Sequence, residues 1–87
     1  MAIEFPDIHA TDPDTFGITF PIDSDGERIL CLVTTDALQD INPSNATDTP
    51  ENQFNDNKYS FQSIAEQKIQ TGEVANGRIF IDGKDVR

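Results

Sequence analysis

The 87-residue sequence predicts one small α+β domain of order β-β-β-α-α-β, with one short and one long helix packed on an antiparallel sheet. Three observations predict it. Period-2 alternation runs through 16–22 and again through 29–33, either side of an Asp25-Gly26 turn. An apolar stripe at helical spacing joins Phe54, Phe61, Ile64, Ala65 and Ile69. A second turn, Asn76-Gly77, then leads into a last alternating run ending at Ile81.

Each element follows from its residues. Ile3 and Phe5 alternate briefly before Pro6, as in a short edge strand, where a missing N–H does little harm. His9 to Asp14 read as a turn-rich connector. Phe16, Ile18 and Phe20 fall on one side of the second strand. Asp25-Gly26 accepts the positive φ angles of a tight hairpin turn. In the third strand Ile29, Cys31 and Val33 take one face and Leu30 and Leu32 the other, so a central strand covered on both sides is expected.

Thr34 and Thr35 offer a hydroxyl cap, and Asp36 suits the positive end of a short helix. The Asn42-to-Pro50 stretch breaks that helix with two prolines and small polar residues. Asp48 and Glu51 have capping-box spacing, and Pro50 suits the first turn of the long helix. That helix should run to about Thr71, with Gly72 ending it in the left-handed conformation. Ile79 and Ile81 share one face of the last strand and Phe80 takes the other; where this strand inserts is open.

Composition bounds the rest. At this length there is room for one core only, and 36% hydrophobic residues with six Phe can fill it. Sixteen acids against six bases give a net charge of −10, which repels phosphate backbones and anionic bilayers. The charge is uneven. Residues 1–50 carry ten acids and only Arg28, whereas residues 51–87 carry six acids and five bases, so an anionic partner would dock on the second half. A single cysteine makes no internal disulfide, and no signal peptide or spanning run is visible. The expectation is a cytoplasmic protein, in which the Asn45-Ala46-Thr47 sequon has no use.

The run from Gly17 to Leu38, followed by a polar break and the segment from Phe54 to Ile69, resembles a family of small bacterial proteins, the domain of unknown function 1488. The similarity lies in Ile18-x-Phe20, the turn at Gly26, Cys31, Ala37-Leu38, Phe54, the pair Asn57-Lys58 and the closing strand after Gly77. Lys58 departs from the arginine more usual there. What the resemblance implies is structural, a compact α+β fold of this order. The family has no established activity, and a transcription-regulator-like label attached within it transfers no residues.

Few residues suggest chemistry. A reactive cysteine needs a cation, base or helix N-terminus beside it, but Cys31 is flanked by Leu30 and Leu32, with Arg28 on the opposite face. Core packing is the expectation. His9, the sole histidine, would have to meet Cys31 for catalysis, and nothing in the sequence requires it. Asp23-Ser24-Asp25-Gly26-Glu27 looks like a calcium loop until its twelfth position, which is Thr34. One Cys and one His do not make a zinc site. No catalytic, cofactor or metal residues are therefore assigned.

The most informative polar group is Asn57, Lys58 and Tyr59, joined by Lys68 and Arg78 as a candidate partner-binding surface. Its bland alternative is a snorkelling lysine and an asparagine bonded to local backbone. The sequence thus favours a non-catalytic protein-binding or regulatory module with a protein partner, a monomer or weak homodimer without membrane contact. The alternative is a nucleic-acid-associated regulator using the five bases of the second half. An enzyme is not expected.

Overall fold

The computed structural model describes residues 3–6, 8–14, 16–42, 44 and 47–86. Five strands and three helices follow in the order β1 (Ile3–Glu4), β2 (Ala10–Thr11), β3 (Ile18–Ser24), β4 (Glu27–Val33), α1 (Thr35–Asp40), α2 (Pro50–Gln70), β5 (Arg78–Ile81) and α3 (Gly83–Val86). The class is α+β, as expected. β2 and α3 are additions to the expected order. The sequon falls mostly outside the described residues.

β3 and β4 form the central hairpin, paired antiparallel from Ser24↔Glu27 to Ile18↔Val33. Asp25 at φ +50° and Gly26 at φ +87° make the two left-handed residues that this turn requires. The far edge of β3 is shared: β1 pairs at Asp23 and Ser24, β2 at Ile18 and Thr19. Pro21 lies between them. The Leu30 N–H points to β5, donating to the Gly77 carbonyl, so the Pro21–Leu30 pair exchanges no bonds. Pro21 therefore turns its missing donor into the gap between β1 and β2, where no strand needs it.

The sheet departs from expectation at its other edge. β5 runs parallel to β4, with Cys31↔Ile79 and Val33↔Ile81 in register, so the sheet is mixed rather than purely antiparallel. The reason is the connection. The chain leaves β4, crosses one face through α1 and α2, and returns to the end it started from, as parallel pairing demands.

α1 starts at Thr34, whose Oγ1 accepts from the Ala37 N–H at 3.3 Å. α2 is capped one residue later than the capping-box spacing suggests. Thr49 is the N-cap and accepts from the Asn52 N–H at 3.2 Å, leaving Pro50 at the first helical position. Asp48 supports the cap from outside, accepting from the Thr49 N–H and the Asn52 side chain. At the other end Glu73 N–H donates to Lys68 C=O and Gly72 N–H to Ile69 C=O, closing a Schellman motif with Gly72 at φ +79°.

The helices cover one face of the sheet. Ile18, Phe20, Ile22, Ile29, Cys31, Val33, Ile79 and Ile81 point into this layer and meet Ala37, Leu38, Phe54, Phe61 and Ala65. Phe54 is its hub, with ring centroids 5.4 Å from Phe20 and 5.8 Å from Phe61, the latter pair stacked. α3 packs against α1, and its own start is capped by Asp82 N–H donating to Asp85 Oδ2 at 3.0 Å and Asp85 N–H donating to the Asp82 carbonyl.

Candidate functional site

The five residues of the candidate surface do not share one face. Asn57, Lys58 and Tyr59 are consecutive near the middle of α2. Asn57 sits at φ −125°, ψ 18°, off helical values, and its Nδ2 donates to the Gln53 carbonyl at 2.9 Å. An amide inserted into the helical ladder explains the kink. The Lys58 ammonium lies 5.8 Å from the Tyr59 ring centroid, and Tyr59 is 80% exposed. These three therefore follow the local, bland pattern of a helix surface.

Lys68 lies about three turns further on and is held inside the fold. Its Nζ meets Asp85 Oδ1 at 3.0 Å and Glu73 Oε1 at 3.9 Å, tying α2 to α3 and to the loop after α2. Burial raises the Asp85 carboxyl, but the Asp82 N–H and the Lys68 ammonium outweigh it and hold Asp85 below its ordinary value. This depressed carboxylate stabilises the fold above about pH 4 and loses that contribution as pH falls through its folded pKa. Asp85→Asn should therefore lower stability at pH 7 by about 1 kcal/mol. Urea melts at pH 7 and pH 3 check it, because the difference between the proteins should shrink at the lower pH.

Cys31 and His9 occupy separate environments. Cys31 is fully buried, paired with Phe20 on one side and Ile79 on the other. Burial pushes its thiol up to about 12, with Lys68 working weakly the other way. His9 packs its ring 5.0 Å from Phe54, with Nε2 3.4 Å from Glu51. Among the described residues no group of three or more His, Cys, Asp or Glu could hold a metal ion.

The other face of the sheet is open, which corrects the expectation that β4 is covered on both sides. Its rows are Glu4 on β1, Ala10 on β2, Thr19, Pro21 and Asp23 on β3, Arg28, Leu30 and Leu32 on β4, and Arg78 and Phe80 on β5. Leu30 is 40% and Phe80 54% exposed, and Leu32 is only partly covered. Among the described residues the helices pack on the opposite side, because the single crossover carries both α1 and α2 over one face. Arg78, chosen with the α2 residues for its charge, belongs here.

The polar end of this face is ordered. Arg28 donates to Asp23 through Nε (2.9 Å to Oδ1) and Nη2 (3.2 Å to Oδ2), which holds the Asp23 carboxyl below its ordinary value. Glu4, Asp25 and Gly26 line the same shallow depression. Sequence reasoning missed this surface, although a signal existed. Arg28-x-Leu30-x-Leu32 and Arg78-x-Phe80 each begin an outward row with a cation, which a buried row does not carry.

The edge beyond β5 offers little by comparison. Arg78 already exchanges both backbone bonds with Ala75 across the Asn76-Gly77 turn, and the Asp82 N–H is taken by Asp85. In this parallel register Ile79 and Ile81 face β4, so Phe80 alone turns its backbone groups outward.

One further strained position stands out. Phe16, in the loop between β2 and β3, is 66% exposed at φ +61°. That conformation costs a bulky L-residue about 1–2 kcal/mol, against about 0.5–1 kcal/mol for the extra chain freedom of glycine. Phe16→Gly should therefore stabilise the protein by about 0.5–1 kcal/mol, read as an increase in thermal midpoint.

The fold and its surface define a small α+β domain with a one-sided sheet. The chain belongs to the family described as protein of unknown function (DUF1488), whose family model matches residues 3–81. No curated protein and no solved structure matches it.

Proposed function

We propose that this protein is a non-catalytic protein-binding module that docks its partner on the open face of the sheet. The observation that carries this reading is the row of exposed Leu30 and Phe80 with half-buried Leu32, on a sheet whose other face is packed by the helices. Apolar side chains bordered by arginines are the composition of interface centres. The exposed, strained Phe16 supports the same reading, since it lowers stability without filling the core.

A nucleic-acid role draws no comparable support. Arg28 is bound by Asp23 and Lys68 by Asp85, so two of the six bases are already matched to carboxylates. Among the described residues no helix is long and apolar enough to cross a membrane.

The test is a tagged chain recovered from its own cells, compared with a Leu30→Gln/Phe80→Gln variant and a Lys58→Ala/Tyr59→Ala variant. A discrete protein partner lost only in the first variant is expected. Loss only in the second would move the docking surface to α2, and indifference to both would end the proposal.

A further inference from the structure

We infer that the occupant of the open face is a second copy of this chain, related by a two-fold axis parallel to the strands and passing between β3 and β4. This deepens the reading of that face as a docking surface and rests on it.

Charge distribution is the first argument. Of sixteen acids and six bases, the strand rows of the open face carry two of each, Glu4 and Asp23 with Arg28 and Arg78, with Asp25 at the turn beside them, leaving thirteen against four for the remainder. Two copies of so acidic a chain repel one another over most approaches. On this face they do not.

The second argument is where those charges sit. Both acids lie on β1 and β3, both bases on β4 and β5, on either side of the line between β3 and β4. A two-fold along that line lays β3 over the partner's β4 and the β1/β2 edge over the partner's β5. Asp23 then faces Arg28 of the second copy at the same level. Glu4 comes over Arg78 of the second copy, offset by two residues, about 7 Å along the strand, within the combined reach of the two side chains. Among the described residues neither Glu4 nor Arg78 has a side-chain partner of its own, so each gains one.

Shape follows the same operation. Pro21 falls over Leu30 of the second copy and Thr19 over Leu32. Phe80, the largest protruding side chain of the face, falls over Ala10, the smallest. The aligned packing of two such sheets is an ordinary sandwich geometry. β3 and β4 span about 24 Å, but β5 has four residues and β1 and β2 two each, so at a spacing of about 4.8 Å the contact is smaller than a standard interface and a weak, reversible dimer with a dissociation constant on the order of a hundred micromolar is expected.

Sedimentation equilibrium of the purified chain, from about 1 to about 500 µM, should show monomer–dimer exchange in that range. Leu30→Gln with Phe80→Gln should weaken it at least about tenfold while the circular dichroism spectrum stays native. Glu4→Lys and Arg78→Glu should each weaken it several-fold, and the two together should restore it, because the reversed pair matches again. A monomer at every concentration would overturn the inference, and the docking reading would survive if a different protein were still lost from the Leu30/Phe80 variant. A dimer indifferent to Leu30 and Phe80, or single charge reversals without restoration in the double variant, would equally overturn it.

Discussion

Phe54→Ala should leave the domain barely folded. Removing a buried phenylalanine costs about 3–5 kcal/mol, while a chain of this length has on the order of 4–13 kcal/mol in total. Phe54 has three ring neighbours: Phe20 on β3, Phe61 about two turns further along α2, and His9 in the connector before β2. These partners cannot all close on the vacated space, since Phe20 is fixed by the sheet and Phe61 by its own helix. A chemical denaturation midpoint reduced by about half is expected. A shift within about 0.5 kcal/mol of wild type would show that the site collapses freely and that Phe54 is no hub.

The second large effect appears at alkaline pH. Burial raises the Cys31 thiol from an ordinary 9.0 to about 12, so the folded state holds its proton more tightly than the unfolded chain does. The stabilisation is fully present below pH 9 and is lost as pH rises from about 9 towards 12. Within that window stability should fall by about 1.4 kcal/mol per pH unit from this group alone, up to about 4 kcal/mol in all. Urea melts between pH 8 and pH 11 measure the slope, and Cys31→Ala removes this group's share of it. Equal slopes for both proteins would refute a buried, protonated thiol. The same burial predicts slow labelling by a thiol reagent in the folded state at pH 8, limited by unfolding.

Local signals in the sequence were decisive wherever one residue has one physical solution. Asp25-Gly26, Asn76-Gly77 and Gly72 take the positive φ angles read for them, and Thr34 caps α1. Cys31 is core, as its neighbours indicated. What stayed hidden depends on residues far apart. The direction of β5 follows from how the helical connection crosses the sheet, which no local pattern records. Period-2 alternation separates the two faces of β4 but carries no information about which one receives the helices. Lys68 reads as a surface charge because its pairing with Asp85 spans 17 residues and a chain reversal. β2 has only two residues, too short for any periodicity.

The proline in the gap between β1 and β2 has a bearing on misassembly. Fibril growth requires a continuous row of free backbone donors and acceptors, which an incoming strand can copy in turn. At one edge of this sheet that row is interrupted at Pro21, with β1 and β2 already occupying the positions either side. At the other edge only Phe80 presents such groups. Both edges therefore offer an incoming strand only short, interrupted rows, which sets a barrier to templated polymerisation. Pro21→Val would restore a donor in the gap, and seeded aggregation monitored by thioflavin fluorescence should shorten its lag accordingly.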